Sequence, residues 1–126
     1  MNKKILIITL LLFLTACTVN RETEITYQTI SAEEAIKAME DDDYIILIDV
    51  RTPEEREERY IPGSILIPFD QLEEIITLAV TDLRTRIFIY CRSGNRSRMA
   101  SQLLINLGYR YVYNIEEGIN GWPLES

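Results

Sequence analysis

Apolar residues follow two alternating spacings along most of the chain. Runs rich in adjacent apolar residues, typical of strands buried on both faces of a parallel sheet, occur at residues 44–48, 64–67, 86–90 and 111–114. Segments with helical spacing occur at residues 31–39, 70–80 and 97–107, and Pro53 opens a short charged helix over residues 54–59. Strands that alternate with helices predict a single α/β domain, with a mostly parallel central sheet flanked by helices.

The N-terminal segment has a different pattern. Lys3 and Lys4 precede an apolar stretch, residues 5–14, in which only Thr9 is polar. A basic start followed by a short apolar core is typical of a secretory signal, and the stretch is short for a membrane span. Residues 14–17 (LTAC) resemble the bacterial lipobox, which implies that Cys17 is lipidated and becomes the new N-terminus. The alternative is an uncleaved N-terminal anchor helix.

These features predict three regions. We expect a lipoprotein signal peptide at residues 1–16, the lipidated Cys17 with a polar tether at residues 17–28, and the folded domain at residues 29–126. The protein would then be an extracytoplasmic lipoprotein, anchored by its N-terminal lipid in a membrane of the bacterial cell envelope.

The amino-acid composition limits the kinds of active site that this chain can form. The chain has 20 acidic residues, 13 basic residues and no histidine, with a formal net charge of −7. The absence of histidine excludes a Ser-His-Asp triad, a Cys-His dyad and imidazole metal ligands. Cys17 and Cys91 are too few for a cysteine zinc site, and they are too far apart in the sequence for a C-x-x-C motif. We therefore expect no metal and no cofactor, and the acidic balance argues against nucleic acid as a partner.

Cys91 lies where the third apolar run ends and the last predicted helix is about to begin. A helix N-terminus presents unpaired N–H groups and the positive end of the helix dipole, both of which favour a thiolate. Gly94 and Asn95 tolerate the left-handed backbone that a tight anion-binding turn requires. Arg92 and Arg96 add positive charge and fork-shaped donors. The sequence therefore predicts a reactive thiolate beside an anion pocket.

Charge is distributed unevenly around this cysteine. Residues 83–115 contain no acidic residue and six arginines, namely Arg84, Arg86, Arg92, Arg96, Arg98 and Arg110. Such a patch can raise the local concentration of an anionic substrate. We expect a functional role for Arg92 and Arg96, and ordinary solvated surface positions for Arg84, Arg86 and Arg110.

Residues 91–97 (CRSGNRS) resemble the active-site loop of the rhodanese (sulfurtransferase) family. Residues 47–51 (LIDVR), 60–64 (YIPGS) and 117–122 (EGINGW) resemble three further elements of that family, in the same order. The resemblance spans residues 29–124 and implies a rhodanese-like domain. Tyr60 departs from it, since the family commonly has a histidine there.

The resemblance implies a sulfur-transfer cycle. The Cys91 thiolate would take sulfane sulfur from a small anionic donor such as thiosulfate, and the Cys91 persulfide would pass it to cyanide or a thiol, including a thiol of a protein acceptor. Backbone amides of residues 92–96 would hold the persulfide, while the side chains of the loop would bind the donor. With the backbone of Gly94, the residues that would bind the donor are Arg92, Ser93, Asn95, Arg96 and Ser97. Asp49 and Arg51 would either support the loop or form a structural ion pair.

Two other functions remain open from the residues alone. A non-catalytic rhodanese-like module would bind a partner or carry sulfur. A Cys-loop phosphatase or arsenate reductase would also bind tetrahedral oxyanions, but such loops have the spacing C-x5-R, whereas four residues separate Cys91 from Arg96.

Overall fold

The computed structural model describes residues 23–123. The predicted signal peptide, Cys17 and residues 18–22 of the predicted tether lie outside the described residues. The described part forms a sheet of five parallel strands in the order β1-β5-β4-β2-β3. Its strands are β1 (Gln28–Ile30), β2 (Ile46–Asp49), β3 (Ile65–Leu66), β4 (Arg86–Tyr90) and β5 (Tyr111–Ile115).

Helices connect these strands. They are α1 (Ala32–Asp41), α2 (Pro53–Glu58), α3 (Leu72–Ala79) and α4 (Asn95–Asn106), with short 3-10 helices at Phe69–Gln71 and Gly118–Gly121. α2 begins with a reciprocal capping box, in which the Thr52 hydroxyl accepts from the Glu55 amide and the Glu55 carboxylate accepts from the Thr52 amide. The predicted α/β fold with a parallel sheet flanked by helices is confirmed.

Successive residues of β4 point to opposite faces of the sheet and define two apolar clusters. Ile87 and Ile89 pack with residues of α3 and α4, whereas Phe88 and Tyr90 pack with Ala35 of α1. All four β4 side chains are buried. β4 is therefore covered on both faces, as its continuous apolar run predicts.

The N-terminal edge of the sheet differs from the prediction. Gln28–Ile30 pairs with β5, so the sheet begins at residue 28, which the sequence assigns to the tether. This strand has three residues and no apolar run, so its pairing depends on the neighbouring strand rather than on its own pattern.

Tyr44 is a second difference from the prediction, since it precedes β2 and is 89% exposed.

The apolar spacing of residues 97–107 predicts that Met99, Ala100 and Leu104 share the buried face of α4, and the structure differs from this prediction. Met99 is 54% exposed, whereas Ser97 and Ser101 are buried beside Ala100 and Leu104. Both serine hydroxyls donate to backbone carbonyls, Ser97 to Gly94 at 3.1 Å and Ser101 to Ser97 at 2.7 Å. Because those bonds satisfy the hydroxyl groups, the two serines can be buried on the face of α4 where the apolar spacing predicts Met99.

Over residues 23–123, no helix combines the length and the apolar character needed to cross a bilayer.

Candidate active site

Cys91 directly follows β4, which lies between β2 and β5 in the sheet. The chain turns at the carboxyl edge of the sheet, where ligands of open α/β sheets bind, and enters α4 at Asn95. Gly94 caps the helix with φ +99°, and a Cβ at this position would overlap the Glu116 carbonyl oxygen. Within residues 23–123 only glycines have positive φ, so of the two residues that tolerate a left-handed backbone here, Gly94 adopts it and Asn95 does not.

The Cys91 sulfur lies among hydrogen-bond donors of its own loop. The Gly94 amide donates to Sγ at 3.0 Å, and the Ser97 hydroxyl lies 3.4 Å from Sγ. Burial raises the pKa of the thiol, but the hydrogen bond with the Ser97 hydroxyl and those from the amides of Ser97, Gly94 and Ser93 outweigh it. The pKa of Cys91 is therefore lowered. Cys91 itself is only 1% exposed.

The 3-10 helix Gly118–Gly121 holds the start of this loop. The Ile119 amide donates to the Cys91 carbonyl at 2.9 Å, and the Asn120 amide donates to the Arg92 carbonyl at 3.1 Å. Gly118 has φ +56°, and a Cβ there would overlap the Cys91 carbonyl oxygen and lie 2.7 Å from the Arg92 carbonyl oxygen. The C-terminal element that resembles a rhodanese motif thus packs directly against the loop.

Arg92 and Arg96 both bind one carboxylate that the sequence analysis did not single out. Arg96 donates to the two oxygens of Glu55 at 2.7 and 2.8 Å, and the Arg92 Nε donates to Glu55 Oε1 at 3.2 Å. The hydrogen bonds from Arg96 are the main reason that the pKa of the Glu55 carboxyl lies well below its usual range, despite its partial burial. Arg92 also approaches Glu58, at 3.8 Å.

A local signal indicates where Glu55 lies in its helix, and the pairing of two strands then places it beside the loop. Residues 52–55 (TPEE) have the form of a capping box, which places Glu55 in the first turn of a helix. That helix follows β2, and β2 pairs with β4 in parallel. Because the carboxyl ends of both strands share one edge, the first turn of α2 lies beside the Cys91 loop.

The other predicted loop residues differ in their surroundings. Ser93 is exposed and contributes its backbone amide to the sulfur site. Asn95 is exposed as well, and its side-chain oxygen accepts a hydrogen bond from Arg98. Among residues 92–96, the Gly94 amide thus donates to the sulfur, and the side chains of Arg92 and Arg96 point to Glu55.

Asp49 and Arg51 form a buried ion pair behind α2. Arg51 donates from Nε and Nη2 to the two carboxylate oxygens of Asp49, each at 2.9 Å, and from its two Nη groups to the carbonyls of Glu55 and Arg59. Neither residue hydrogen-bonds to the loop at residues 91–97. Their arrangement is that of the structural ion pair, which is linked to α2 through the Glu55 carbonyl and the Arg56 side chain, and to β4 through the Tyr90 hydroxyl.

The six arginines of residues 83–115 divide between the two edges of the sheet. Arg92, Arg96 and Arg98 lie in the loop and the first turn of α4. Arg84, Arg86 and Arg110 lie at the amino ends of β4 and β5, where Arg86 pairs with Asp42 at 2.9 Å. The basic stretch in the sequence is therefore not one continuous patch around Cys91.

Comparisons with known proteins agree with this arrangement. Residues 31–125 match the family described as Rhodanese-like domain. The chain is 37% identical over 67 residues to the thiosulfate sulfurtransferase PspE of Escherichia coli, which covers 53% of this chain and 64% of that protein. It is 32% identical over 93 residues to a sulfurtransferase of Allochromatium vinosum, covering 74% of this chain and 85% of that protein.

A solved structure shows the same fold. The crystal structure of a rhodanese-like domain protein from Staphylococcus aureus aligns with a TM-score of 0.66 and 28% identity, covering 79% of this chain and 94% of the other. The matched family segment contains β2, α2, β4, the Cys91 loop and the 3-10 helix against which that loop packs. The chain therefore belongs to the rhodanese-like domain family.

Proposed function

We propose that this protein is a sulfurtransferase, which moves sulfane sulfur from a small anionic donor of the thiosulfate type to cyanide or a thiol through a persulfide on Cys91. The observation that carries the proposal is the set of donors around Sγ, with the Gly94 amide at 3.0 Å and the Ser97 hydroxyl at 3.4 Å. The same donors that favour a thiolate can bind the negative charge of a persulfide.

The first half-reaction loads the sulfur. The Cys91 thiolate attacks the outer sulfur of thiosulfate, a new S–S bond forms, and the bond to the sulfonate sulfur breaks with its electron pair leaving on sulfite. In the second half-reaction, cyanide attacks the outer sulfur of the persulfide, and thiocyanate leaves as the Cys91 thiolate is restored. Neither step needs a histidine base, since the attacking groups are already ionised.

Sulfur loading tests the proposal directly. The purified protein is incubated with thiosulfate and examined by intact mass spectrometry, and we expect a gain of one sulfur atom. Cys91→Ser abolishes the gain, whereas the matched variant Cys17→Ser, which removes the other cysteine of the chain, retains it. Hydrolysis of a phosphate ester without any gain of sulfur would contradict the proposal and favour a phosphatase.

The proposed setting is extracytoplasmic, on a membrane of the bacterial cell envelope. This part of the proposal rests on residues 14–17 (LTAC), which resemble a lipobox and lie outside the described residues. A thiol acceptor in that compartment, on a small molecule or on a protein, would complete the cycle.

A further inference from the structure

The guanidinium groups of the loop are already bound by a carboxylate of the same chain. Glu55 takes both terminal nitrogens of Arg96 and the Nε of Arg92, and its side chain is 17% exposed. A donor that uses these arginines therefore meets two guanidinium groups, and Glu55 already balances one of their two positive charges. It must either displace the carboxylate or bind to the N–H groups that remain.

The Glu55 carboxylate is also held in place by residues outside the Cys91 loop. Its Oε2 accepts from the Thr52 amide at 3.0 Å and from the Thr52 hydroxyl at 3.2 Å, and its carbonyl accepts from Arg51. Arg51 is in turn fixed to the buried Asp49. The carboxylate is thus anchored to the end of β2 and the start of α2, independently of the loop.

We propose that Glu55 is a specificity-determining residue that disfavours dianionic sulfur donors and favours monoanionic ones. The inference rests on the proposed sulfurtransferase function and deepens it by naming the donor class. A fixed negative charge beside the anion pocket repels a donor in proportion to the charge of that donor. Thiosulfate, with two negative charges, is therefore penalised more than a thiosulfonate, which has one.

Two donors isolate this effect because they react in the same way. Thiosulfate and methanethiosulfonate both offer a terminal sulfur to the Cys91 thiolate. In each case an S–S bond forms to Cys91, the bond to the oxidised sulfur breaks, and its electron pair leaves on sulfite or on methanesulfinate. The donors differ by one negative charge, so the ratio of their KM values reports the charge of the pocket.

Glu55→Gln is the central variant. Gln keeps an oxygen acceptor for the capping box, so α2 retains its start while the negative charge is removed. We expect the KM for thiosulfate to fall about tenfold and that for methanethiosulfonate about threefold at low ionic strength, since the Coulomb energy is linear in donor charge. Added NaCl should reduce both changes through screening.

Glu57→Gln is the matched control, because Glu57 is an exposed acid on the same short helix and makes no ion pair within residues 23–123. It should leave the ratio of the two KM values unchanged. Equal changes for both donors in Glu55→Gln, or a loss of kcat without a change in the KM ratio, would show that Glu55 only supports the loop and would overturn the inference. A wild-type protein that takes sulfur from neither donor would overturn the sulfurtransferase function itself, and the inference with it.

Discussion

The Ser97 hydroxyl has one proton and two acceptors within reach. Its oxygen lies 3.4 Å from the Cys91 sulfur and 3.1 Å from the Gly94 carbonyl oxygen. When Cys91 is a thiol, it can donate to Ser97 while the hydroxyl donates to Gly94. When Cys91 ionises, the hydroxyl proton can rotate to the sulfur and stabilise the thiolate. A single side chain thus serves both protonation states.

Ser97→Ala should therefore raise the pKa of Cys91, because the thiolate loses a donor while the burial that opposes ionisation remains. A higher pKa means less thiolate at neutral pH. We expect alkylation by iodoacetamide at pH 7 to slow about tenfold, as a hydrogen bond to a charged group is worth about 1.5 kcal/mol. The measurement is the alkylation rate as a function of pH.

Ser101→Ala is the control, since the Ser101 hydroxyl is also buried in α4 but donates to the Ser97 carbonyl. It should leave the midpoint of the pH profile in place. An unchanged midpoint in Ser97→Ala would mean that the backbone amides alone hold the thiolate.

At the scale of elements, some parts of the site can be predicted from the sequence and others cannot. Cys91 and Gly94 follow from a local pattern, since a strand, a tight turn and a helix start are all visible between residues 86 and 107. Glu55 requires knowledge that β2 and β4 are neighbours, which no local pattern contains. β1 is too short for a period to appear in it. The opposite exposures of Met99 and Ser97 depend on hydrogen bonds that hydrophobicity does not encode.

The contact between the Gly118–Gly121 element and the Cys91 loop leads to a test by substitution. Gly118→Ala adds a Cβ at φ +56° that would overlap the Cys91 carbonyl oxygen, so the loop or the 3-10 helix must move. We expect the melting temperature to fall and sulfur loading from thiosulfate to drop at least about tenfold, since displacements of about 1 Å can cost that much in catalysis.

Gly63→Ala is the control that separates backbone strain from steric overlap. Gly63 has φ +82°, but nothing lies within 4 Å of a Cβ built there, so this variant incurs only the cost of a left-handed backbone, about 1–2 kcal/mol. It should lose some stability and keep sulfur loading. If Gly118→Ala loads sulfur as Gly63→Ala does, the 3-10 helix does not position the loop.

At the scale of the whole molecule, Asp49 connects the elements that carry the site. Its carboxylate is fully buried at the end of β2 and accepts from Arg51, from Arg56 of α2 at 3.3 Å, and from the Tyr90 hydroxyl of β4 at 3.0 Å. Tyr90 in turn binds Ser64 at 2.9 Å, just before β3. The carboxylate therefore links β2 and β4 with the helix that presents Glu55, and Tyr90 extends this network to the residue before β3. The same buried network gives α2 a fixed position although no α2 side chain is buried.

Asp49→Asn should show how much of the folding free energy depends on this connection. The substitution preserves shape but leaves the buried Arg51 guanidinium without its counter-charge, and it places amide hydrogens where two arginines and a tyrosine donate. Breaking a buried pair in this way costs about 3–5 kcal/mol, so we expect the free energy of unfolding in urea to fall by about that amount. Asp43→Asn, an exposed aspartate in the turn before β2, should change it by less than about 0.5 kcal/mol. Equal unfolding midpoints for the two variants would mean that the carboxylate charge is dispensable. The position of α2, and with it the placement of Glu55 beside the loop, would then depend on the apolar core rather than on this network.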